Sequence, residues 1–252
     1  MTNVIDRTGE VSYNSFGSLM VITNYRNCDD MDVYFSKYNW TKKHTQYALF
    51  KRGNILCPYE RRFYNKGYVG EGIYKIKING KPTKHYKTWQ AMLKRAYCPK
   101  YKQQHPTYIG CEVYSSWHNF QVFSEWIDKN YYEIEGEQVC LDKDILCKGN
   151  KIYSPNTCVF VPQRINNLFT KSDKARGDLP IGVSYRYKKY IACCKVNGKQ
   201  KHLGYYNTPE EAFEVYKKIK EQYIKEVADQ YKDKIPSKLY EGMIKYQVEI
   251  ND

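Results

Sequence analysis

The spacing of apolar residues changes twice along this chain, and that change limits the folds it can adopt. Up to about residue 80, short runs such as LMVITNY and MDVYFSKY lie between turns, which is typical of strands. From residue 86 the spacing is helical, and after a polar segment at 171–180 three strand-like runs precede one long helical run. Strands and helices therefore occupy separate stretches, which predicts the α+β class.

The first stretch predicts a small β-rich module at residues 1–80. Its strand-like runs include YALFKRGN, and GIYKIKING contains an Asn-Gly pair that suits a tight hairpin. The sequence assigns no activity to this module.

The middle stretch predicts two amphipathic helices. Four apolar side chains share one face of the first helix: Trp89, Met92, Leu93 and Ala96. The second helix is predicted to begin near Ser116. Its apolar side chains also share one side: Trp117, Phe120, Phe123, Trp126 and Ile127. We interpret both faces as core.

The last stretch predicts three antiparallel strands packed on one long helix. The strand-like runs are GVSYRY, YIACCKV and QKHLGYY, and the Asn-Gly pair at 197–198 predicts a hairpin between the last two. Thr208 and Glu211 match a capping box, and Pro209 suits the first helical position. We expect the helix to end at Pro236.

The charge of the chain favours a polyanionic partner. Lys and Arg number 41 against 27 Asp and Glu, giving a net charge of +14, which favours nucleic acid first and an anionic membrane surface second. The 27 tyrosines alternate with basic residues in runs such as ERRFYNKGY and YRYKKY. Such runs can lie along a phosphate backbone or form half-exposed strand faces.

Other sequence features predict where the protein is located and whether it binds zinc. No run has the length of a membrane span and the start lacks a secretory pattern, so we expect a cytoplasmic protein with no membrane partner. The nine cysteines stand without Cys-x-x-Cys pairs, which indicates reduced thiols, and no zinc is expected.

Three blocks of the sequence resemble, in order, the core of phage-encoded HNH homing-endonuclease-like proteins. The blocks are TWQAMLKRAYCPKY, CEVYSSWHNFQVFSEW and LDKDILCKGNKIYSPNTCVFVPQRINNLF. The family typically has the patterns W-x-x-M-x-x-R-C-Y, V-C-x-x-W, D-R-I-D and Y-S-P-E-N-C-x-W-V. The final strands and helix look like the AP2 DNA-binding domain that is often fused to this core. The resemblance implies a phage origin, an HNH-like module at 81–170, a linker at 171–180 and an AP2-like domain with a helical extension at 181–252.

For the central module the resemblance implies a ββα-metal fold, in which two strands and a helix hold one divalent cation against the scissile phosphate. Asp142 matches the metal-binding carboxylate, Asn166 matches the ligand on the helix, and Asp144 is a second acidic contact. The cation would be Mg²⁺, which takes oxygen ligands and is expected only if the site cleaves DNA. The alternative interpretation is that both aspartates are turn residues and that Asn166 caps the helix.

The activating half of the site departs from the family pattern. The base histidine falls on Lys143, and the middle asparagine falls on Thr157, or on Asn156 after a slip of one residue. A lysine with an ordinary pKa is protonated at neutral pH and cannot accept a proton from water. Tyr153 could replace the base only if its own pKa were lowered.

For the last domain the resemblance implies a sheet that lies in the major groove, with alternate residues contacting DNA. The outward residues are Ser184, Arg186, Lys188, Cys193, Lys195, Gln200 and His202. The positions that pack on the helix are Gly182, Ala192, Leu203 and Gly204. Arg186 is the best candidate for a guanine contact because a guanidinium offers two parallel donors. The alternative is that these cations are solvated strand charges.

Together the patterns favour a double-stranded DNA-binding protein, in which a degenerate HNH fold holds DNA and an AP2-like sheet occupies the major groove. Two alternatives stay open. One is an active Mg²⁺-dependent HNH-type homing endonuclease, and the other is a phage protein that binds and inhibits a host protein.

Overall fold

The computed structural model describes residues 5–170 and 177–250, and it is a mixed α/β structure with several small sheets, in agreement with the α+β class. The chain divides into two compact units, Met1–Lys129 and Asn130–Asp252. The division into modules at 1–80, 81–170 and 181–252 stays a prediction. Of the predicted linker, residues 171–176 lie outside the described residues.

The first unit begins with a four-stranded antiparallel sheet in sequential order. Its strands are β1 (Val11–Tyr13), β2 (Leu19–Asn27), β3 (Asp30–Phe35) and β4 (Trp40–Thr45). Met20 and Ile22 of β2 and Met31 and Val33 of β3 are fully buried, because successive side chains of a strand point to opposite faces. They form one core with Phe50.

The run YALFKRGN is a helix, so the strand predicted there is wrong. Tyr47–Lys51 forms α1, and Phe50 on this helix packs into the core of the sheet. Gly53 closes the helix with a φ of +68°, and a Cβ at this position would lie 2.9 Å from the carbonyl oxygen of Tyr13. Packing against the sheet therefore overrides the strand preference of the aromatic residues.

The hairpin predicted at the first Asn-Gly pair is confirmed. Strands β5 (Lys77–Ile78) and β6 (Lys81–Pro82) pair, and Asn79 and Gly80 between them both have positive φ. The next elements are α2 (Lys84–Tyr97), α3 (Pro99–Gln104), β7 (Glu112–Val113) and α4 (Phe120–Asn130). The predicted core face of α2 is fully buried.

The second predicted helix begins four residues later than the sequence indicated. Residues 115–118 form a 3₁₀ turn, and Asn119 after it is extended. The side-chain oxygen of Asn119 accepts a hydrogen bond from the backbone N–H of Gln121 at 2.9 Å, so it caps α4 and fixes its start. Four of the predicted core residues are buried: Trp117, Phe120, Phe123 and Ile127.

The second unit contains a hairpin followed by a short helix and then a sheet covered by a long helix. Its elements are β8 (Val139–Asp142), β9 (Ile152–Tyr153), β10 (Val159–Pro162), α5 (Gln163–Asn166), β11 (Val183–Arg186), β12 (Lys189–Val196), β13 (Lys199–Tyr206), α6 (Pro209–Tyr231) and α7 (Ser237–Ile244). β8 pairs antiparallel with β10, and β11, β12 and β13 form an antiparallel sheet in that order. α6 contacts all three strands of this sheet, as predicted.

The start of α6 matches the prediction and its end does not. The capping box of Thr208 and Glu211 is present, with Pro209 at the first helical position. The helix ends at Tyr231 instead of Pro236, because the chain turns there and Ile235 enters the core. The proline lies directly before α7, where its missing N–H costs nothing.

Two cores hold the second unit together. One joins the β8–β10 hairpin and α5 to the second half of α6 and to α7, and the other joins the three-stranded sheet to the first half of α6. Gly182 allows the close approach in the second core, since a Cβ at this position would overlap the ring of Tyr216. Its φ of +76° also favours glycine.

Within the two described stretches, none of the helices combines the length and the apolar character that crossing a bilayer requires.

Candidate nucleic-acid interface

The residues of the predicted metal site lie on the β8–β10 hairpin and on α5. Asp142 is the last residue of β8 and lies opposite Val159, and Asn166 is the last residue of α5. α5 contacts β8, and the backbone N–H of Gln163 donates to the carbonyl oxygen of Gln138 at 2.8 Å. The two expected ligands are therefore placed on adjacent elements.

Asp142 begins a tight turn and lies in an environment that disfavours its charge. Its Oδ1 accepts hydrogen bonds from the backbone N–H groups of Asp144 at 2.9 Å and Ile145 at 2.8 Å. Burial, together with repulsion from the Asp144 carboxylate, raises the pKa of Asp142 to about 6, although the two N–H donors oppose the shift. At neutral pH this side chain is an ionised carboxylate held at some cost in stability.

Lys143 occupies the position of the expected base and is buried, with 6% of its surface exposed. Its Nζ donates to Oδ2 of Asp144 at 2.8 Å and to the carbonyl oxygen of Asn150 at 3.0 Å. An ammonium group carries donors and no acceptor. Lys143 therefore supplies a positive charge to the turn and does not supply a base.

Asn150 organises the loop between β8 and β9, and the sequence analysis did not identify it. Its Nδ2 donates to the carbonyl oxygens of Lys143 at 2.6 Å and Ile152 at 2.8 Å, and its Oδ1 accepts from the N–H of Ile152 at 3.1 Å. An asparagine after Gly149 and directly before a strand is typical of a turn, so its position in the sequence could have indicated this role.

The other residues expected in the activating half do not form a chain of proton donors and acceptors. Tyr153 is 1% exposed, whereas Asn156 is exposed at the surface of the turn. The hydroxyl of Thr157 donates to the carbonyl oxygen of Ile152 at 2.7 Å and lies 2.8 Å from the hydroxyl of Ser154. These contacts close the turn that precedes β10.

Asn166 is half-buried at the end of α5, and it makes no capping hydrogen bond to the 3₁₀ turn that follows. Its carbonyl oxygen accepts a hydrogen bond from the hydroxyl of Thr170 at 3.4 Å. Among the described residues, no hydrogen bond is made by its carboxamide. That group is therefore available as an oxygen ligand.

The arrangement offers carboxylate and amide oxygens, with Lys143 at the position of the expected base. Asp142, Asp144 and Asn166 carry the carboxylate and amide oxygens that Mg²⁺ prefers. The only histidine in the sequence after residue 129 is His202, which lies on β13. The hairpin and helix offer ligands for a cation, but they contain no histidine that could activate water.

The outer face of the β11–β13 sheet brings together most of the residues predicted to contact DNA. Five of them line one concave surface of about 650 Å³: Ser184, Arg186, Cys193, Gln200 and His202. Lys195 is exposed two residues after Cys193 on β12, and hence on the same face. The opposite face packs on α6.

Lys188 differs from the prediction, because it lies in a turn and not on the sheet face. Tyr187 and Lys188 form the two-residue connection between β11 and β12, with φ values of +54° and +59°. Such values cost energy in residues other than glycine. Tyr187 is 86% exposed, so this turn presents an aromatic ring and an ammonium group beyond the end of the sheet.

A β-bulge in β13 explains how two neighbouring residues share the packing face. Ala192 pairs with Gly204 and Cys193 pairs with His202, which leaves Leu203 as an extra residue. Because strand residues alternate between faces, Leu203 and Gly204 can both lie toward α6 only with this extra residue. The bulge keeps the predicted outward residues of β13 on the outer face.

The concave surface also contains residues that the sequence analysis did not identify. Ile191, Tyr187 and Tyr205 line it beside the predicted polar residues. Ile191 is two residues before Cys193 on β12, so strand alternation could have placed it there. Tyr205 follows the bulge, and simple alternation from His202 would have placed it on the wrong face.

A separate acidic cluster lies in the first unit, and the sequence analysis did not identify it either. Ligand atoms of Asp30, Asp32 and His44 lie within 4.8 Å of one another. Arg26 already contacts both carboxylates, at 2.6 Å to Asp30 and 2.7 Å to Asp32. Its hydrogen bonds hold the pKa of Asp30 at about 2. We interpret the cluster as an ion-pair network in which a guanidinium balances the acids.

Comparison with known proteins finds no match to this chain among family models, curated proteins or solved structures.

Proposed function

We propose that this protein binds double-stranded DNA through the outer face of the β11–β13 sheet, with the β8–β10 hairpin and α5 as a second contact. The observation that carries the proposal is the concave outer face of the sheet, where Arg186, Gln200 and His202 line one surface together with tyrosine and isoleucine side chains, while the opposite face is covered by α6. The net charge of +14 supports a polyanionic partner.

Three residues of this face have side chains that match DNA groups by their chemistry: Arg186, Gln200 and Lys195. The guanidinium of Arg186 can donate two parallel hydrogen bonds to guanine, and the amide of Gln200 can pair with adenine. Lys195, exposed at the end of β12, suits a phosphate, which positions the protein without selecting a sequence. The sheet would therefore supply both affinity and base preference.

The hairpin and α5 support binding more than cleavage. They match the order of a ββα-metal module, but the position of the base holds Lys143, which is buried and paired with Asp144. A module of this kind can hold a phosphate or a cation near the DNA without activating water. This is the degenerate HNH-like role that the sequence resemblance suggests.

A second candidate function is a Mg²⁺-dependent endonuclease, and one observation favours it. Asp142 keeps a carboxylate whose pKa is raised, with Asp144 beside it and Asn166 on the adjacent helix. These three residues would hold the cation, and their oxygen atoms fit its preference. Bound Mg²⁺ would supply charge stabilisation at the scissile phosphate.

The primary proposal is tested by measuring duplex affinity with fluorescence anisotropy on a panel of sequences. Arg186→Ala should weaken the preferred duplex by about 5- to 100-fold, the loss of one bidentate base contact, and should reduce the preference among sequences. Lys218→Ala is the control, because this exposed lysine lies on α6, across the sheet from the proposed interface. Equal losses in both variants would overturn the assignment of the interface.

The two candidates are separated by incubating supercoiled DNA with the protein and Mg²⁺ or Mn²⁺. We expect no nicking by the unchanged chain, together with DNA binding that Asp142→Ala and Asn166→Ala both retain. Nicking by the unchanged chain that disappears in both variants would replace the primary proposal with the endonuclease.

A further inference from the structure

A cleft of about 860 Å³ lies within the second unit, and it shares no lining residue with the concave surface of the β11–β13 sheet. Its walls come from the turn before β8, from α5 and the residues after it, from the β12–β13 turn and from α6. Its volume is in the range of small-ligand sites. Neither Asp142 nor Asn166 lines it, so it is distinct from the metal site discussed above.

Three cationic side chains from three elements line this cleft. They are Arg164 of α5, Lys195 at the end of β12 and Lys220 of α6. The single carboxylate among the lining residues is Glu137, whose Oε1 accepts a hydrogen bond from the hydroxyl of Tyr231. The lining therefore has an excess of positive charge.

The charge of Lys220 is not balanced by a carboxylate. Burial lowers the pKa of this lysine, and the nearby thiol of Cys194 opposes the shift. Within the described part of the chain, neither Lys220 nor Lys195 forms a salt bridge or donates a side-chain hydrogen bond. A partly desolvated ammonium group without a counter-ion would gain stability from an anion in the cleft.

Hydrogen bonds between the β12–β13 turn and α6 lie near both lysines in the chain. The backbone N–H of Asn197 donates to the hydroxyl of Tyr223 at 2.9 Å, and that hydroxyl lies 3.2 Å from Oδ1 of Asn197. Lys195 is two residues before this turn, and Lys220 is three residues before Tyr223 on α6. Both lysines therefore lie close to the hydrogen bonds between Asn197 and Tyr223. These hydrogen bonds therefore join the two elements that carry the lysines.

The rest of the lining offers amide groups and one aromatic ring. The Nε2 of Gln163 donates to Oδ1 of Asn167 at 2.8 Å, and Gln138 is exposed at the rim. Amides of this kind pair with the edges of nucleobases, and the ring of Tyr223 supplies an apolar surface. Phosphate and base chemistry are thus available in one cleft.

We propose that this cleft binds the phosphate group of a single nucleotide, with Lys195 and Lys220 on the phosphate and the amides of Gln138, Gln163 and Asn167 near the base. The nucleotide is either free or an unpaired unit of a nucleic acid. The site overlaps the proposed duplex interface at Lys195 and at α5, and it shares no lining residue with the concave surface of the sheet.

The test is calorimetric titration of the full chain with deoxyadenosine monophosphate, deoxyadenosine and inorganic phosphate. We expect the monophosphate to bind at least 10-fold more tightly than the nucleoside, and inorganic phosphate to compete with it. Lys220→Met, which keeps the aliphatic stem and removes the charge, should weaken the monophosphate at least 10-fold. Lys218→Met on the same helix should leave binding unchanged.

Three results would overturn the proposal: no heat of binding at millimolar monophosphate, equal affinity for the nucleoside, or unchanged binding in Lys220→Met. If Lys220→Met does not fold, as judged by circular dichroism, Gln138→Ala and Asn167→Ala take its place, and binding that is unchanged in both overturns the proposal. Displacement of the monophosphate by a single-stranded oligonucleotide would assign the site to nucleic acid, and retention would assign it to free nucleotides.

Failure of this inference and failure of the proposed function give different results. Arg186 does not line the cleft, and Lys220 does not line the concave face of the sheet. Loss of duplex binding in Arg186→Ala with normal binding of the monophosphate would support both proposals. Monophosphate binding by a chain that does not bind duplexes would support the cleft alone.

Discussion

At the scale of single residues, Asp142 and Lys143 define what the hairpin can do. Asp142 is a carboxylate whose charge is disfavoured by burial, whereas Lys143 places its ammonium between Asp144 and the carbonyl oxygen of Asn150. A carboxylate whose charge is disfavoured by burial is typical of functional sites, because stability alone would not select it. The pair therefore favours a site for phosphate or cation over a purely structural turn.

Replacement of Asp142 by Asn should stabilise the protein at neutral pH. The pKa of Asp142 is about 6 in the folded state, whereas the ordinary value for an aspartate is 3.8. The folded state therefore holds the proton more tightly than the unfolded state. The stability that this proton contributes is present below about pH 4 and is lost as pH rises through 6. Asp142→Asn keeps the acceptor of the turn without the charge, and should gain about 1 to 2 kcal/mol at pH 7.5 and little at pH 4. Urea unfolding of the unchanged protein and of Asp142→Asn at pH 7.5 and pH 4 measures this difference in the free energy of unfolding.

Asp144→Asn is the matched control for that measurement. It removes the carboxylate that pairs with the buried ammonium of Lys143, so we expect it to destabilise the protein at pH 7.5. If Asp142→Asn is also destabilising at this pH, Asp142 is a structural residue of the turn and its ionised form is favoured by the fold.

At the scale of elements, the three-stranded sheet has one face packed on α6 and one outer face, and its two hairpin turns differ in their contacts. The β11–β12 turn exposes Tyr187 and Lys188 with positive φ values. The β12–β13 turn is instead tied to α6 through Asn197 and Tyr223. The first turn is therefore free to contact a ligand, and the second one fixes the wall of the cleft.

Removal of one hydroxyl should loosen the second turn. Tyr223→Phe deletes both hydrogen bonds to Asn197, and we expect a loss of about 1 kcal/mol in the free energy of unfolding. Amide hydrogen exchange at Asn197 should become faster as well. Tyr240→Phe is the control, because its hydroxyl bonds to Asp229 at the surface and its loss should cost less than about 0.5 kcal/mol. Unchanged exchange at Asn197 would show that the strands alone hold the turn.

At the scale of the whole molecule, the net charge of +14 favours a polyanionic partner, and the proposed DNA binding should depend on salt. A protein that neutralises phosphates releases counter-ions from DNA, so its affinity falls linearly in a plot of log K against log salt. The exposed lysine and arginine side chains lie on several elements, including the β5–β6 hairpin and the β12–β13 turn.

The salt dependence of duplex binding should be steep. For roughly six phosphate contacts we expect the affinity to fall about 10³-fold between 50 and 200 mM salt. Lys195→Ala should reduce the slope of log K against log salt by about 1, the value for one lost phosphate contact, whereas Lys218→Ala should leave it unchanged. A slope near zero would point to a protein partner in place of DNA.

Much of the fold could be predicted from the sequence, because those elements depend on local rules. Both Asn-Gly hairpins, the capping box of Thr208 and Glu211 and the buried face of α2 were predicted from residues within four positions of one another. The errors occurred where packing competes with local preference. Residues 47–51 form a helix against a sheet, and Asn119 delays the start of α4.

By itself the sequence determined the α+β class, the β11–β13 sheet with its covering helix, and the residue types of the sheet face and the hairpin. Only the tertiary structure decided that Lys143 is buried against Asp144, that an extra residue at Leu203 keeps His202 on the outer face, and that Lys195 and Lys220 line one cleft. The physical reason is the distance along the chain over which the interactions act. Turns and caps are determined by neighbouring residues, whereas burial, bulge register and the convergence of charges depend on contacts between distant segments of the chain.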